Sequence, residues 1–434
     1  MSQPLALTLW SLAAATLVGL PLYSLRVRGR GYAIFVFVVL ALSLPGALLT
    51  QLRLGSLVPP WALAPLNAAF VYGMGAAGIH LAALLGPRLR SPQFRLAVSV
   101  PGMVFVAAGA LCGFWLLALL PIRTVLTALG LDGVLSVLRW LDLVPLMVAL
   151  VSVITSTRVA HEFVRVPLAA TGPQSVAKVP VTRYRGQSPP TATDDGPPRL
   201  RIVQITDTHL GPWQPVGKLQ SYIEGLLGHD PDLVLLTGDF LTMESGGTPG
   251  ALAEALRPLR QLPGRCFGIF GNHDYAYPEE VHHAFETIGA TLLRDDEALV
   301  TTRAGDVQII GAEYVGRGRR EHIRALLGRY PRRNGALRLF LLHDPLGFRH
   351  VPQGEVDLTI SGHTHGGQVG LVSFGMEWTV LSRTRWPDHG LFGHGSNRLY
   401  VHRGSGFYGF PLRIGVPGEA SVLEVIPRSG PAAA

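Results

Sequence analysis

Hydrophobic positions follow two different patterns along this chain, and the pattern changes near residue 160. Up to that point, long apolar runs are interrupted only by short segments that carry arginine or proline. Beyond residue 200, short runs rich in Val, Ile and Leu alternate with amphipathic stretches of helical period. The long runs predict membrane helices, and the alternating pattern predicts a layered α/β domain with buried strands.

The first half of the chain predicts about five membrane-spanning helices. The apolar runs lie at 4–25, 31–52, 59–86, 96–122 and 140–157. The fifth run is short, and as a span it has to tolerate Asp142 near one interface. The first run has no basic residue before it and no twin-Arg motif, so we interpret it as a retained span rather than a cleavable signal. Residues 1–160 are therefore expected to form an all-α transmembrane domain.

Charge gives this domain an orientation. Residues 1–160 contain ten Arg, two Asp and no Lys or Glu, so they carry 10 − 2 = +8, which equals the formal net charge of the whole chain. The rest of the chain is balanced, so the basic character does not predict nucleic-acid binding, and we expect none. Arginines concentrate after the first, third and fifth runs, which places those loops in the cytoplasm. We expect an integral inner or plasma membrane protein with a cytoplasmic catalytic domain.

One alternative reverses that orientation. If residues 124–156 lie flat on the membrane as an interfacial amphipathic helix, only four spans remain and the catalytic domain is extracytoplasmic. A second open point is His80, an ionisable side chain well inside the third run. Such a residue is either functional or reaches a lipid or loop interface.

Between the two halves, residues 161–199 are rich in Pro, Gly, Ser and Thr and predict a linker. A weak strand at 177–184 would suit a sheet edge, because Pro180 cannot donate a hydrogen bond to a neighbouring strand. Residues 200–427 predict the α/β domain, with helices at 216–227, 251–262, 279–288 and 320–330. Residues 428–434 are expected to form a frayed C-terminus.

Five apolar runs of the α/β domain end in side chains that bind metals. These runs are 201–209, 233–239, 266–274, 337–344 and 356–365. Their candidate ligands are Asp207, His209, Asp239, Asn272, His343, His363 and His365, with His273 and Asp274 directly after Asn272. Side chains that follow several buried strands meet at one edge of a sheet, where open α/β folds keep their sites.

This mixture of carboxylate, amide and imidazole groups predicts a site for two divalent metal ions. Two cations about 3.5 to 4 Å apart can bind a phosphoryl oxygen and lower the pKa of a bridging water. The ligand types suit Mn, Fe, Zn or Ni. Taken singly, an Asp after a strand is often a helix N-cap, and a Gly-Asp pair is often a turn. The order of the residues, with glycine beside several of them, favours the metal site.

The remaining histidines and the cysteines are assigned structural roles. Cys112 and Cys266 form neither a metal cluster nor a disulfide framework and are expected to pack in apolar surroundings. Seven histidines occupy polar, surface-like contexts and are expected to be non-catalytic. They are His282, His283, His322, His350, His389, His394 and His402.

The motifs that contain the candidate ligands resemble those of the calcineurin-like metallophosphoesterases. In order along 201–365, they are Asp-x-His from Asp207, Gly-Asp at Asp239, Gly-Asn-His-Asp at 271–274, His343, and Gly-His-x-His at 362–365. Segments 398–406 and 410–425 further resemble a membrane-linked bacterial branch of that family. The branch includes transmembrane phosphoesterases and a pyrophosphatase of lipid A synthesis that cleaves UDP-2,3-diacylglucosamine.

The resemblance implies a fold and a role for each candidate residue. The implied fold is a sandwich of two mixed sheets flanked by helices. One metal would be bound by Asp207, His209 and His365, the other by Asn272, His343 and His363, and Asp239 would bridge them. His273 would stabilise charge or protonate the leaving oxygen, and Asp274 would orient His273.

The implied activity is hydrolysis of a phosphodiester, phosphomonoester or pyrophosphate bond by a metal-bridging hydroxide. A membrane tether raises the effective concentration of lipid-borne phosphates, so we expect a lipid-linked or nucleotide-activated lipid substrate. Substrate choice is expected to lie in 370–397, which contains Trp378, Arg383, Arg385 and Trp386. Asp344, directly after His343, either adds negative charge near the metals or starts a turn.

Three other functions fit part of the sequence. In the first, the membrane half only sets the location of a general phosphodiesterase that acts on soluble substrates. A membrane sensor or scaffold could use the domain for ligand binding alone, although the full set of ligands argues against this. A transporter with a regulatory hydrolase domain is disfavoured, because the first four spans contain no acidic residue.

Overall fold

The computed structural model of this 434-residue chain describes residues 3–168, 171–185, 199–407 and 409–426. The chain divides into two compact units. The first comprises Met1–Thr155 with Gly409–Leu412, and the second comprises Ser156–Tyr408 with Arg413–Ala434. The double prolines of the predicted linker and the predicted frayed C-terminus lie outside the described residues.

The first unit is all helical, as the sequence predicts. Its helices are α1 (Gln3–Val27), α2 (Arg30–Leu57), α3 (Pro60–Ala83), α4 (Pro92–Phe94), α5 (Val100–Ala128), α6 (Asp132–Leu141) and α7 (Val144–Thr157). Five segments are long and apolar enough to cross a membrane: Leu7–Val27, Arg30–Leu57, Pro60–Ala83, Pro92–Ala128 and Asp132–Thr157. The prediction of about five membrane helices is confirmed.

Small residues bring α2 and α5 into close contact. A Cβ at Gly46 would lie 2.1 Å from the carbonyl oxygen of Gly109, and a Cβ at Gly109 would lie 2.4 Å from that of Ser43. Without a hydrophobic driving force between helices in lipid, close backbone packing is a main source of association. Glycine is therefore required at both of these positions.

Asp142 lies at the break between α6 and α7, and two arginines neutralise it. The carboxylate is 2% exposed, 3.2 Å from Nε of Arg53 at the end of α2, and also paired with Arg123 on α5. An unpaired carboxylate in this position would be costly. The two ion pairs explain how the fifth segment accommodates an acid.

The second unit contains two seven-stranded mixed sheets, as predicted. The first sheet is formed by β1 (Val159–Pro167), β3 (Thr182–Arg185), β4 (Leu200–Ile205), β5 (Leu233–Leu236), β6 (Cys266–Gly268), β7 (Thr291–Leu292) and β14 (Gly418–Ile426). The second is formed by β2 (Ala177–Lys178), β8 (Asp296–Thr302), β9 (Gly305–Gly311), β10 (Leu337–Leu341), β11 (Leu358–Ser361), β12 (Gly390–His394) and β13 (Asn397–Val401).

The strand orders place the predicted ligand strands side by side. The first sheet runs β3-β1-β14-β4-β5-β6-β7, with β4 to β7 parallel. The second runs β2-β12-β13-β11-β10-β9-β8, with β9, β10, β11 and β13 parallel. Because parallel strands end at the same edge, the loops after β4, β5 and β6 share one edge of the first sheet, and those after β10 and β11 share one edge of the second.

Alternate residues of the strands fill the core between the sheets. Leu233 and Leu235 from one sheet, and Leu339 and Ile360 from the other, belong to a single buried apolar cluster. Helices cover the outer faces: α8 (Val216–Leu227), α9 (Met243–Gly246), α10 (Ala251–Leu256), α11 (Pro278–Ile288) and α12 (Arg319–Arg329). Successive side chains of a buried strand point to opposite faces, so each strand packs against the core on one face and against the helices on the other.

The start of the predicted linker differs from the structure. Val159–Pro167 is strand β1, which pairs in parallel with β14. The weak strand expected at 177–184 is two strands, β2 and β3, which join different sheets on either side of Pro180. Proline ends the first of them because it cannot continue the ladder.

A buried arginine connects the two sheets. Arg403, just beyond β13, is completely buried, 2.7 Å from a carboxylate oxygen of Glu162 on β1 and 3.4 Å from Glu419 on β14. The hydroxyl of Tyr400 on β13 donates to Glu419 as well. One cation thus compensates two carboxylates in a region without water access.

Replacing this arginine tests its contribution to stability. Arg403→Met removes the buried cation 2.7 Å from Glu162 and 3.4 Å from Glu419, while Arg183 stays 4.0 Å from Glu162, and we expect a loss of about 3 to 5 kcal/mol in the free energy of unfolding. The matched control, Arg333→Met, breaks the pair between Glu297 and a half-exposed arginine and should cost less than about 1 kcal/mol. Denaturant unfolding of the second unit within the detergent-solubilised chain measures both. Equal effects would contradict the proposed role of Arg403.

Candidate metal centre

The predicted ligands follow the carboxyl ends of five parallel strands, three in one sheet and two in the other. Main-chain hydrogen bonds join the loops after β4 and β5. The amide of Asp207 donates to the carbonyl of Gly238 over 2.9 Å, and that of His209 donates to Asp239 over 3.2 Å. The amide of His363, after β11, donates to the Asp207 carboxylate at 3.0 Å. The two sheets therefore meet at this group of loops.

Six of the predicted ligands form two clusters whose ligand atoms lie within 4.8 Å of one another. The clusters are Asp207, His209 and His365, and Asp239, His343 and His363. In the first, Nε2 of His365 is 3.1 Å from Nε2 of His209 and 3.3 Å from Asp207. In the second, Nε2 of His343 is 3.2 Å from both Asp239 and Nδ1 of His363.

The chemistry of these groups fits two divalent cations. Each cluster offers a carboxylate and two imidazole nitrogens that converge on one point, a donor set that suits Zn, Mn, Fe or Ni. The seventh predicted ligand, Asn272, has a buried Oδ1 without a hydrogen-bond donor among the described residues. A buried amide oxygen of this kind needs a partner, and a metal ion would provide one. The residues present therefore fit a dinuclear site.

The backbone at the site is unusual. Five predicted ligands adopt the left-handed region: Asp207 (φ 50°), His209 (42°), Asp239 (56°), His363 (70°) and His365 (51°). They make up five of the eight non-glycine residues with positive φ in the described part of the chain. Such conformations cost free energy and persist where surrounding structure enforces them, typically at functional sites.

Glycines give the two carboxylates their space. A Cβ at Gly271 would lie 2.1 Å from Oδ1 of Asp239, and a Cβ at Gly362 would lie 2.1 Å from Oδ2 of Asp207. Any side chain at either position would displace a carboxylate. The glycine of Gly-Asn-His-Asp and the first glycine of Gly-His-x-His are therefore part of the site.

Hydrogen bonds orient the ligand side chains. His343 approaches the carbonyl of Thr237 with Nδ1 at 2.7 Å, which leaves Nε2 to face the cluster. The hydroxyl of Thr206 donates to Asp207 at 2.7 Å, and the amide of His273 donates to Asp239 at 2.9 Å. Partners that fix the ring and carboxylate orientation in this way usually tune metal affinity as well.

Asp274 contacts main chain at both of its carboxylate oxygens. One oxygen accepts from the amides of Asp239 at 2.7 Å and Gly271 at 2.8 Å, and the other accepts from Phe240 at 2.9 Å. The residue is completely buried. These bonds hold the Gly-Asp loop against the Gly-Asn-His-Asp loop, and the expected orientation of His273 by Asp274 stays a prediction.

His273 lies at the open side of the site. It is half-buried, and its ring centroid is 5.6 Å from that of His209. Trp386 stacks on His363 with ring centroids 5.3 Å apart and planes 20° apart, and Tyr314 lies 6.3 Å from the same ring. Trp386 belongs to the stretch expected to select substrate, whereas Tyr314 was not predicted.

Arg413 is a site residue that the sequence did not single out. It is completely buried and donates to the carbonyl oxygens of Arg403 at 2.7 Å and Gly406 at 2.5 Å, and it approaches Nδ1 of His365 at 3.2 Å. It therefore ties the Gly-His-x-His loop to the turn after β13. The one sequence signal for Arg413 was its segment, which is rich in Gly and Pro and resembles the membrane-linked branch.

Three other expectations are resolved by the structure. Asp344 starts a short helix, Pro345–His350, by accepting from the amide of Leu346, and it also pairs with Arg319 at 2.7 Å. It takes the structural one of its two proposed roles. The expectation of surface-like contexts is wrong for His389 and His402, which are completely buried. Each buried ring has an acidic partner. Asp388 lies 3.2 Å from His389, and Glu419 lies 3.9 Å from His402.

Burial and mutual charge set the protonation of the cluster. Burial raises the pKa of Asp207 to about 7 and lowers the pKa of His209 and of His363 to about 4. Burial also disfavours the charged form of His343, but the adjacent Asp239 carboxylate outweighs it and raises the pKa of His343 to about 10. At neutral pH, therefore, His343 and Asp239 form a charged pair, while the rings of His209 and His363 are neutral.

Comparisons with known proteins agree with this geometry. The sequence model of the calcineurin-like phosphoesterase family matches residues 200–367. An uncharacterised metallophosphoesterase of Helicobacter pylori is 28% identical over 235 residues, which cover 53% of this chain and 60% of that protein. The phosphodiesterase YaeI of Escherichia coli is 27% identical over 52% of this chain and 82% of its own length.

The name of a third relative includes the word transmembrane. The transmembrane protein with metallophosphoesterase domain of Bos taurus is 28% identical over 287 residues, which cover 61% of this chain and 59% of that protein. The alignments thus span about three fifths of the Helicobacter and bovine relatives. The similarity reaches the domain rather than the whole length of those proteins.

Metal binding should release a proton from His343. Because the pKa of His343 is about 10, its ring is protonated at pH 8 and must lose that proton to bind a metal, whereas His209 and His363 are already neutral. We expect about one proton released per chain at pH 8, measured by titrating metal-stripped protein with Mn²⁺ calorimetrically in buffers of different ionisation enthalpy. Below pH 7, release should increase as Asp207 also becomes protonated in the metal-free state. No proton release at pH 8 would contradict the His343–Asp239 pair.

Proposed function

We propose, from the premise that residues 200–367 form a calcineurin-like metallophosphoesterase domain, that this protein is a membrane-anchored, dinuclear-metal phosphoesterase. The observation that carries the proposal is the pair of clusters in which two carboxylates and four imidazoles converge at the junction of the sheets. Its reaction would be hydrolysis of a phosphodiester, phosphomonoester or pyrophosphate bond. Five apolar helices and relatives named for a transmembrane part support an integral membrane protein.

The proposed ligands divide between two metal sites. Asp207, His209 and His365 would hold one cation, Asn272, His343 and His363 the other, and Asp239 would contact both. Two divalent cations, when bound, would polarise the phosphoryl oxygen, lower the pKa of a water and offset the charge of an in-line displacement. The metals are proposed from Mn, Fe, Zn and Ni because the ligands are mixed N and O donors.

The chain itself would position the reactants. Asp274 fixes the loops that carry Asp239 and Asn272 by accepting from three main-chain amides. His273, half-buried beside His209, is the proposed group that stabilises charge on the phosphoryl oxygens or protonates the leaving oxygen. Burial lowers the pKa of His273, so at neutral pH it would act by accepting a proton or after gaining one from solvent.

A phosphate group on a lipid-linked molecule is the proposed substrate. A domain held next to a bilayer by its own helices meets lipid-borne phosphates at high effective concentration. Trp386 and Tyr314 beside His363 offer aromatic surface for a group attached to that phosphate. UDP-2,3-diacylglucosamine, which combines a pyrophosphate, a base and two acyl chains, is one member of this class.

The catalytic domain is proposed to lie in the cytoplasm. The arginines of the first unit concentrate in the loops after the first, third and fifth apolar runs. With five spans, this puts the end of the fifth on the same side as those loops. The fifth candidate segment, Asp132–Thr157, is long and apolar enough to cross a bilayer, and the ion pairs of Asp142 with Arg53 and Arg123 offset the cost of its acid, which favours five spans.

Removing the shared carboxylate should abolish activity. We expect Asp239→Asn to reduce kcat/KM for phosphoester hydrolysis by at least about 100-fold and to lower bound metal, because the ligands of both sites lose a charged partner. The control Asp306→Asn changes an exposed aspartate near the start of β9 and should leave both unchanged. The measurement uses detergent-solubilised protein with Mn²⁺ and either UDP-2,3-diacylglucosamine or an aryl phosphodiester. Normal turnover by Asp239→Asn would refute the assignment.

Cysteine labelling tests the side of the membrane. Leu299 on β8 is 58% exposed, and both native cysteines are buried, so Leu299→Cys provides one accessible thiol. We expect a membrane-impermeant maleimide to label it only after cells are permeabilised. Ser56→Cys, at an exposed position near the end of α2, should be labelled in intact cells. Labelling of Leu299→Cys in intact cells would instead support an extracytoplasmic domain.

A further inference from the structure

The segment 371–386, which follows the Gly-His-x-His loop, exposes several large apolar side chains. Phe374 is 73% exposed, Met376 48%, Trp378 44% and Val380 46%. Met376 and Trp378 lie two residues apart in the extended part of the segment, so their side chains fall on the same side, and Phe374 ends the short 3-10 helix Val372–Phe374 that precedes them. In contrast, Thr379 between them is buried.

This concentration is unusual within the second unit. Among the described residues of that unit, six large apolar side chains are exposed, and four of them are the ones in this segment. The other two, Tyr275 and Leu299, lie elsewhere along the chain. Single exposed apolar residues need no explanation, whereas a cluster of them indicates an interaction surface.

The backbone of the segment is fixed, which keeps these side chains outward. The amide of Leu371 donates to the carbonyl of Trp378 at 2.9 Å, and that of Ser373 donates to Gly415 at 2.8 Å. The Thr379 hydroxyl also donates to the buried Asp388 carboxylate at 2.8 Å. The apolar surface is therefore a built feature of the segment.

The charges of the segment favour an anionic partner. The one acidic side chain of segment 371–386 is Glu377, which pairs with Lys178 at 3.1 Å and Arg183 at 3.5 Å. Arg383 and Arg385, further along, are exposed. Aromatic and aliphatic side chains next to arginines are the combination that settles at the headgroup level of a bilayer.

We propose that segment 371–386 docks on the surface of a bilayer that contains anionic lipid, with Phe374, Met376 and Trp378 entering the headgroup region. A bilayer is the apolar surface at hand, because the same chain carries five helices that can span one. Arg383 and Arg385 then contact lipid phosphates, whose negative potential attracts basic residues close to the surface.

Docking would also bring the metal centre to the level of lipid headgroups. Trp386, at the end of the segment, stacks on the metal-site residue His363, so the docked surface and the proposed active site are continuous. This link to the substrate rests on the proposed function. The docking itself is independent of catalysis and is measured without it.

Site-specific fluorescence on the full chain tests the docking. Phe374→Cys is labelled with an environment-sensitive fluorophore and reconstituted into phosphatidylcholine vesicles with phosphatidylglycerol and a shallow doxyl-labelled lipid. Leu299→Cys, another exposed apolar position, is the matched control. We expect blue-shifted emission and quenching by the doxyl lipid at position 374, and neither at 299. Emission typical of water at position 374 overturns the proposal, and so does a blue shift there without lipid quenching, which would indicate a protein contact.

A double variant separates this proposal from the proposed function. Phe374→Ser with Met376→Ser should lower hydrolysis of UDP-2,3-diacylglucosamine in vesicles several-fold while hydrolysis of a soluble aryl phosphodiester is unchanged. Equal loss on both substrates would contradict a docking role. If the native chain hydrolyses neither substrate, the proposed function fails, and the fluorescence result still decides the docking.

Discussion

Burial of two carboxylates at the junction of the sheets is the constraint on which the rest of this domain depends. Asp207 and Asp239 are almost completely inaccessible, and four imidazole rings surround them. Their main-chain partners come from neighbouring loops: His363 for Asp207 and His273 for Asp239. Because the first of these bonds runs from one sheet to the other, assembly of the sandwich and assembly of the site are the same event. That arrangement holds the backbone of five ligands in the left-handed region, which costs conformational free energy.

Two buried arginines close to the candidate ligands contribute to the charge balance of the domain. Arg403 compensates Glu162 and Glu419, and Arg413 bonds to carbonyl oxygens of the turn after β13 while it contacts His365. Burial lowers the pKa of Arg413 to about 9, so the guanidinium remains charged at neutral pH. Its charge is stabilised by main-chain dipoles, which fixes the turn geometry. The C-terminal strand region is thus part of the metal centre's support.

The sequence predicts those features of the domain that depend on local pattern. Strands β4, β5, β10 and β11 are short runs of Val, Ile and Leu, and their ends locate the ligands. Strand β1 was missed because Glu162 and Arg165 interrupt its apolar pattern, and each is neutralised only by a partner far along the chain. The same reason applies to the burial of His402, whose acidic partner is Glu419. Helix α10 ends at Leu256, earlier than expected, and continues as a 3-10 helix that contains Pro258. Of the left-handed ligands, Asp239, His363 and His365 have a neighbouring glycine as a sequence signal, whereas Asp207 and His209 have none.

Selection among phosphorylated substrates has to come from outside the metal clusters, since those clusters recognise only the phosphoryl group common to all of them. Between β11 and β12, the chain forms first the Gly-His-x-His loop and then the segment 371–386. The second is anchored to the first through the bridge between Gly370 and Thr379 and through Trp386 on His363. Residues that would contact the bilayer and residues that would contact the substrate therefore lie on one continuous piece of backbone. Under the two proposals, a change in this segment would alter substrate choice and membrane contact together, without a conformational change in the sheets that position the candidate ligands.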